Sequence, residues 1–255
     1  MPRFFVRQNQ IANDTVTLMG DDAHHIARSL RMAVGDEISV CDMQGNEYAC
    51  RIENFCEDQE VTARVLAVKM SENEPCCYIR LFQALPKGDK LDMIIQKAVE
   101  CGVSEIIPFQ SERCVVRIKP DAEARKGERR QRIAAEAAKQ CGRSVIPTVC
   151  ETVEFDEMLS MAIQNSVCLF CYEGDGTKPL GMVLKEAVLS RRSEEGYPRI
   201  SVIIGSEGGF SLKEAQKASD IGMIPVGLGK RILRTETASG FVLACLVCAT
   251  ELDNR

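Results

Sequence analysis

Between Arg231 and Thr237 the chain reads RILRTET, placing two arginines, Glu236 and two threonines within seven residues, just after Gly227 and Gly229 and just before an apolar stretch. Charge this dense beside a buried helix suggests a site. An arginine can neutralise a developing oxyanion, and a neighbouring carboxylate can accept a proton or hold the arginine in place. A carboxylate also suits a helix start through the helix dipole, so Glu236 by itself leaves both roles open.

A second stretch, IIGSEGGFSLKE, follows a strand-like run, turns at Gly205, Gly208 and Gly209, and enters a helix at Ser211 and Glu214 with the spacing of a capping box. Strand, glycine turn, helix is an arrangement that brings backbone close to a ligand. The spacing G-x-x-G-G departs from the dinucleotide G-x-G-x-x-G, and Phe210 stands where a phosphate loop needs lysine and then serine or threonine. Glu207 would moreover repel phosphate oxygens. Two C-x-x-C pairs, Cys168 with Cys171 and Cys245 with Cys248, invite a zinc site. The first pair lies on a predicted strand, where residues three apart face opposite sides, and the second in an apolar helix; buried thiols and no metal are expected. Adjacent His24 and His25 lack a nucleophile or metal-ligand spacing and fit packing or surface roles.

These residues need a scaffold, and 255 residues suffice for one large domain or two unequal ones. From Glu37 to about Lys69 short alternating runs separated by MQGN and CEDQ predict a β-meander, read as a small barrel. Before it, Ile26, Leu30 and Val34 fall at helical spacing and predict one short helix ending near Gly35. A polar break with Pro75 sets a domain boundary near residue 72. Beyond it, strand-like runs such as YIRLFQAL, VCLFCY, RISVIIG and GMIPVGL alternate with amphipathic helices, including a long basic one around Arg129 to Cys141 and one after Thr237. This pattern predicts an α/β domain with a mainly parallel sheet.

The formal net charge of −5 argues against a uniformly basic coat and leaves room for a local basic patch: residues 113–132 hold eight basic side chains against three acids. Thirteen cysteines, an odd number, suit reduced thiols better than a disulfide framework, and the start MPRFFVRQNQ has no uninterrupted apolar core of a signal peptide. A soluble cytoplasmic protein with no membrane association is expected.

Several motifs, in order along essentially the whole chain, carry a resemblance: PRFFV, HHIARSLRM, KLDMIIQKAVECGVSEIIPF, SERCVV, EAAKQCGRS, IIGSEGGFSLKE and LGKRILRTETA. Together they resemble the SPOUT-class methyltransferases that make N3-methyluridine in small-subunit (16S) ribosomal RNA, the RsmE family. The resemblance implies an N-terminal PUA-like β-barrel that binds RNA, over residues 1–71. It further implies an α/β SPOUT methyltransferase domain with a C-terminal deep trefoil knot over 72–255, and a homodimer. It implies S-adenosyl-L-methionine as cofactor, held by three loops that map to Cys171 and Tyr172, to Gly205, Ser206, Glu207 and Gly208, and to Leu228, Gly229, Ile232 and Leu233. Arg234 would stabilise charge on a uracil carbonyl oxygen, and Glu236 would accept the N3 proton or fix the arginine. RNA contacts are expected from Arg3, Arg7, Arg28 and Arg31, and from Arg113 and Arg143, with Arg117, Arg129, Arg130 and Arg132 nearby in sequence. The partner would be small-subunit ribosomal RNA or the assembled small subunit. One departure stands out, Ser206 where the family usually has proline. The alternatives are a non-catalytic RNA-binding module and a methyltransferase acting on a different RNA.

Overall fold

The structure, a computed structural model, describes residues 1–56, 60–117, 120–194 and 196–252. It divides into two compact units, Met1–Glu74 with Ala138–Ile146, and Pro75–Ala137 with Pro147–Arg255.

In the first unit the strands are β1 (Arg3–Phe5), β2 (Ile11–Ala12), β3 (Thr15–Met19), β4 (Glu37–Cys41), β5 (Asn46–Cys56) and β6 (Glu60–Met70). They form one sheet in the order β1-β4-β5-β6-β3-β2, antiparallel except for the parallel pair β1–β4. The expected meander is therefore β4–β5–β6; Glu57–Gln59 of the predicted second turn lie outside the described residues. Alternation sends Val16 and Leu18, Ile38 and Val40, Cys50 and Ile52, and Val61 and Ala63 into a core with Phe4 and Ile26. The helix predicted through Val34 is shorter: α1 (Gly20–His24) passes into a π-helical turn, His25–Ser29, and stops. The Met32 N–H donates to the Ile26 carbonyl across Arg31, whose φ of 52° is left-handed, leaving Leu30 and Val34 exposed.

The second unit is built on an eight-stranded sheet in which every ladder is parallel. Its strands are β7 (Ile79–Ala84), β8 (Glu105–Gln110), β9 (Thr148–Val149), β10 (Val153–Glu154), β11 (Val167–Cys171), β12 (Lys178–Pro179), β13 (Ile200–Ile204) and β14 (Ile224–Gly227). The order is β10-β8-β7-β13-β11-β14-β12, with β9 also paired to β8. Strands β7 and β13 are buried at every residue, as central strands of a parallel sheet are, and they are mostly apolar, with Arg80, Gln83 and Ser201 as the polar residues. The helices are α2 (Lys90–Glu100), α3 (Pro120–Cys141), α4 (Phe155–Ala162), α5 (Leu180–Val183), α6 (Leu212–Asp220) and α7 (Thr235–Val247). Helix α3 is the predicted basic helix, begun earlier than expected, and its last turn belongs to the first unit. Helix α7 packs on α2 and β13. With the π-helical turn that follows, it forms an apolar stretch, Thr235–Leu252, of mean hydropathy 1.3, long enough to span a bilayer by length and composition alone.

Candidate active site

In an open parallel sheet, ligands bind beyond the carboxyl ends of the strands where the strand order reverses. Here β13 is inserted between β7 and β11, and the chain returns to β14 on the far side of β11. The segments leaving β11, β13 and β14 therefore emerge side by side, and they contain nine of the ten positions expected to hold cofactor, the tenth, Cys171, being the last residue of β11.

The middle segment is a tight turn. Gly209 N–H donates to the Ser206 carbonyl at 2.9 Å, and Gly209 has a left-handed φ of 64°. A Cβ on Gly205 would meet the Phe210 ring at 3.1 Å, and one on Gly208 would meet Arg113 Cβ at 3.0 Å. Gly209 thus answers a left-handed backbone, and Gly205 and Gly208 answer close neighbours that leave a Cβ little space. Phe210 anchors the turn, packing on Phe170 at a ring separation of 4.4 Å and beside Phe109 and Phe155. The predicted capping box is present: Ser211 Oγ accepts from Glu214 N–H and Glu214 Oε2 accepts from Ser211 N–H. Glu214 Oε1 also takes the Glu112 N–H at 2.8 Å.

The three segments are tied together. Tyr172 N–H donates to the Val226 carbonyl at 3.0 Å, joining the exits of β11 and β14. A Cβ on Gly227 would come within 2.9 Å of Thr177 Oγ1. Thr235 Oγ1 donates to the Gly205 carbonyl at 2.6 Å and accepts from Gln83 Nε2 at 2.9 Å, fastening the start of α7 to the glycine turn. Of the last segment, Leu228 and Leu233 are half-buried, while Gly229 is exposed with a φ of 106° and Ile232 is 83% exposed. Cys171 is half-buried, and burial pushes its thiol up to about 12.

Arg234 is the N-cap residue of α7, its carbonyl accepting from Thr237 and Ala238 N–H while its side chain is exposed. Glu236 lies in the first turn, so the helix begins two residues earlier than expected. Its Oε2 is buried and receives no hydrogen bond, with Lys90 Nζ at 3.6 Å, an ion-pair contact too long for one. The same ammonium donates to Glu207 Oε1 at 2.7 Å, and Glu207 Oε1 also accepts the Lys87 N–H at 3.2 Å. Burial alone would raise the Glu207 carboxyl, but the Lys90 hydrogen bond, backbone N–H groups and the Lys90 charge together hold it below the ordinary carboxylate range. Lys90 is raised in turn, chiefly by its hydrogen bond to Glu207. Among the described residues, Ser206 Oγ and Gln83 Oε1 are the other buried side-chain polar atoms without a partner, and both belong to this cluster.

The sequence did not single out Lys90 and Gln83. Their signals are a lysine at the first position of a helix, where the dipole disfavours it, and an amide within the fully buried strand β7, whose other polar residue is Arg80.

The arginines expected at RNA divide. Arg7, Arg28, Arg31, Arg113, Arg117, Arg129 and Arg132 are exposed. Arg113 donates to the Gly208 carbonyl at 3.0 Å, and Arg129 pairs with Asp92. Arg3 and Arg143 correct the expectation of a surface role. Arg3 pairs with Glu47 at 2.9 Å, and Arg143, only 5% exposed, reaches Glu74 Oε2 through Nε at 3.2 Å and NH2 at 2.8 Å. Arg130 is likewise buried on Glu123 and Thr152. Partners brought close by β-pairing and turns have drawn these guanidinium groups inside. His24 and His25 are exposed, His25 lying edge-on to Phe4. Among the thiols, Cys168 is buried and Cys245 half-buried, while Cys248, expected inside, is exposed. Among the described residues no three His, Cys, Asp or Glu side chains gather as a metal set.

Comparison with known proteins places this geometry. Residues 72–247 match the family described as RNA methyltransferase domain, and residues 18–66 the family described as RNA methyltransferase PUA domain. The class is therefore a two-part RNA methyltransferase. Over 99% of its length the chain is 32% identical to the ribosomal RNA small subunit methyltransferase E of Bacillus subtilis, covering 98% of that protein. It is 33% identical to the one from Synechocystis over 95% of this chain and 76% of that one. The crystal structure of the Neisseria gonorrhoeae enzyme bound to S-adenosyl methionine superimposes with a TM-score of 0.81 at 30% identity, covering 97% of each chain. The chain belongs to the ribosomal RNA small subunit methyltransferase E family.

Proposed function

We propose that this protein transfers a methyl group from S-adenosyl-L-methionine to N3 of a uracil in small-subunit ribosomal RNA. The observation that carries the reading is the convergence of the segments after β11, β13 and β14 on a glycine turn in which Gly205 and Gly208 leave little space for a Cβ, next to Arg234 and Glu236.

The residues fit the cofactor. A donor with two cationic groups and one carboxylate suits a pocket of backbone N–H and carbonyl groups with Glu207 beside it, and the partnerless Ser206 hydroxyl belongs to the same turn. Cys171 and Tyr172, Gly205 to Gly208, and Leu228, Gly229, Ile232 and Leu233 would hold it, Ile232 being the exposed apolar side chain that bound cofactor would cover. When bound, S-adenosyl-L-methionine supplies an electrophilic methyl on a sulfonium. The chain's own task is to strip and orient the imide: Glu236 accepts the N3 proton, and the Arg234 guanidinium neutralises charge on the adjacent carbonyl oxygen.

Residues 1–71 serve as the RNA-docking domain, read as a PUA-like barrel, with exposed Arg7, Arg28 and Arg31; within 72–255 the exposed Arg113 and Arg117 are further candidates for RNA contact. The insertion of β13 and the packing of α7 on α2 support a C-terminal trefoil knot. Phe241, 41% exposed in the middle of α7, and Leu252, 58% exposed in the turn that follows it, support a homodimer. A ribosomal substrate argues for a cytoplasmic location.

The test is incubation with radiolabelled S-adenosyl-L-methionine and small subunits from a host lacking the modification, followed by nucleoside analysis. Label recovered as N3-methyluridine supports donor, acceptor and atom together; no label in any RNA refutes the reading.

A further inference from the structure

We propose that Lys90 is a positioning residue that couples the glycine turn to Glu236, one ammonium fastening Glu207 while orienting the second carboxylate across 3.6 Å. The inference rests on the methyl-transfer reading and adds to it a residue from the opposite end of the unit's sequence.

Three features carry it. Lys90 occupies the first position of α2, where the positive end of the helix dipole disfavours a cation, so only its carboxylates justify its place. Its hydrogen bond at 2.7 Å and the Lys87 N–H at 3.2 Å both end on Glu207 Oε1, which fixes the glycine turn to the start of α2. Glu236 Oε2 is buried without any hydrogen bond, so the ammonium is the charge that makes its burial tolerable. The charged groups facing Glu236 are thus Lys90 from α2, Glu207 from the turn through that same lysine, and Arg234 beside Lys90 from its own helix start. Lys90 holds Oε2 by charge across 3.6 Å without a hydrogen bond, so the carboxylate keeps its capacity to accept a proton. A glycine turn ordered by bound cofactor places Glu207, Glu207 places the ammonium, and the ammonium places Glu236. Methyl donor and proton acceptor are then set together, and misplacing the acceptor by about 1 Å costs about 100-fold in rate.

The test combines kinetics and calorimetry on the full chain. Lys90→Met is expected to lower kcat about 10- to 100-fold with KM for the small subunit changed less than about two-fold, and Lys90→Arg to recover most of the loss. Combined with Glu236→Gln, Lys90→Met should cost kcat no more than Glu236→Gln alone; combined with Glu207→Gln, it should weaken S-adenosyl-L-methionine binding no further than Glu207→Gln alone. An unchanged kcat in Lys90→Met, or losses that multiply independently in both pairs, overturns the proposal while leaving the function intact. A wild-type protein that binds no S-adenosyl-L-methionine overturns both. If Lys90→Met weakens binding alone and leaves kcat intact, Lys90 is a loop fastener and the coupling is refuted.

Discussion

Replacing Thr235 by valine keeps the buried shape of the side chain and removes its hydroxyl, which tests the tie between α7 and the glycine turn. Thr235 is 4% exposed, donates to the Gly205 carbonyl at 2.6 Å and accepts from Gln83 at 2.9 Å. Each bond contributes about 0.5–1.5 kcal/mol net, and a buried group left unpaired costs about 1–3 kcal/mol. Relief is partial on both sides: Gln83 Nε2 also donates to Ala84 O at 2.9 Å and to Gly205 O at 3.5 Å. The expected cost is therefore about 2 kcal/mol, a fall in Tm of about 4–8 °C for a unit of this size. Thr235→Ser keeps both bonds and loses one methyl, for about 1 kcal/mol. Urea unfolding should rank wild type, then serine, then valine, and calorimetry should show weaker S-adenosyl-L-methionine binding for valine than for serine. If valine matched wild type within about 0.5 kcal/mol, or serine proved the costlier change, the hydroxyl would not be what fastens the turn.

Glu74 accepts from Arg143 and from the Ser144 and Val145 N–H groups. Burial works against its ionised form, yet the Arg143 hydrogen bond and charge with these N–H groups hold its carboxyl below the ordinary value of 4.5. A depressed folded value means stability that is present above the unfolded value and lost as pH falls through the folded one. Urea midpoints followed from about pH 6 to about pH 3 should fall less steeply in Glu74→Gln than in wild type. Gly209→Ala forces a side chain into a left-handed φ of 64° and should destabilise by about 1–2 kcal/mol, read in the same urea titration, with cofactor affinity reduced. Mass-spectrometric thiol labelling at about pH 8 should reach exposed Cys56, Cys76 and Cys248 first. It should spare Cys50, Cys77 and Cys171, whose thiols burial pushes up to about 12, until the protein unfolds.

What could be read from the sequence divides along a physical line. The parallel sheet was legible because β7 and β13 are mostly apolar runs that alternate along the chain with amphipathic helices, and the capping box because Ser211 and Glu214 sit in one turn. The glycines were legible because each answers a local demand, a left-handed φ at Gly209 and crowding of a Cβ at Gly205 and Gly208. The helix after β3 was misjudged in length, since Leu30 and Val34 keep helical spacing while a left-handed Arg31 has already ended it. Pairing between distant residues was hidden altogether. Glu47 meets Arg3 because it stands opposite Cys41 in the β4–β5 register while β1 lies along β4. No composition or periodicity expresses such a register, so a buried arginine reads like a surface one.

The same limit explains why half of the site was invisible. The glycine turn, Arg234 and Glu236 come from the last fifty or so residues and announce themselves by local density. Gln83 and Lys90 sit more than a hundred residues earlier and look like ordinary strand and helix residues. They arrive because β13 enters the sheet beside β7, in a register that pairs Ile204 with Gln83 and so sets the amide next to the strand end that carries Gly205. The hydroxyl of Thr235 and the carboxylate of Glu207 then each find a partner from the first part of the unit, an amide for one and an ammonium for the other. A site assembled this way exists only once the inserted strand has paired, so methyl-donor binding and the stability of the β7–β13 pair should rise and fall together.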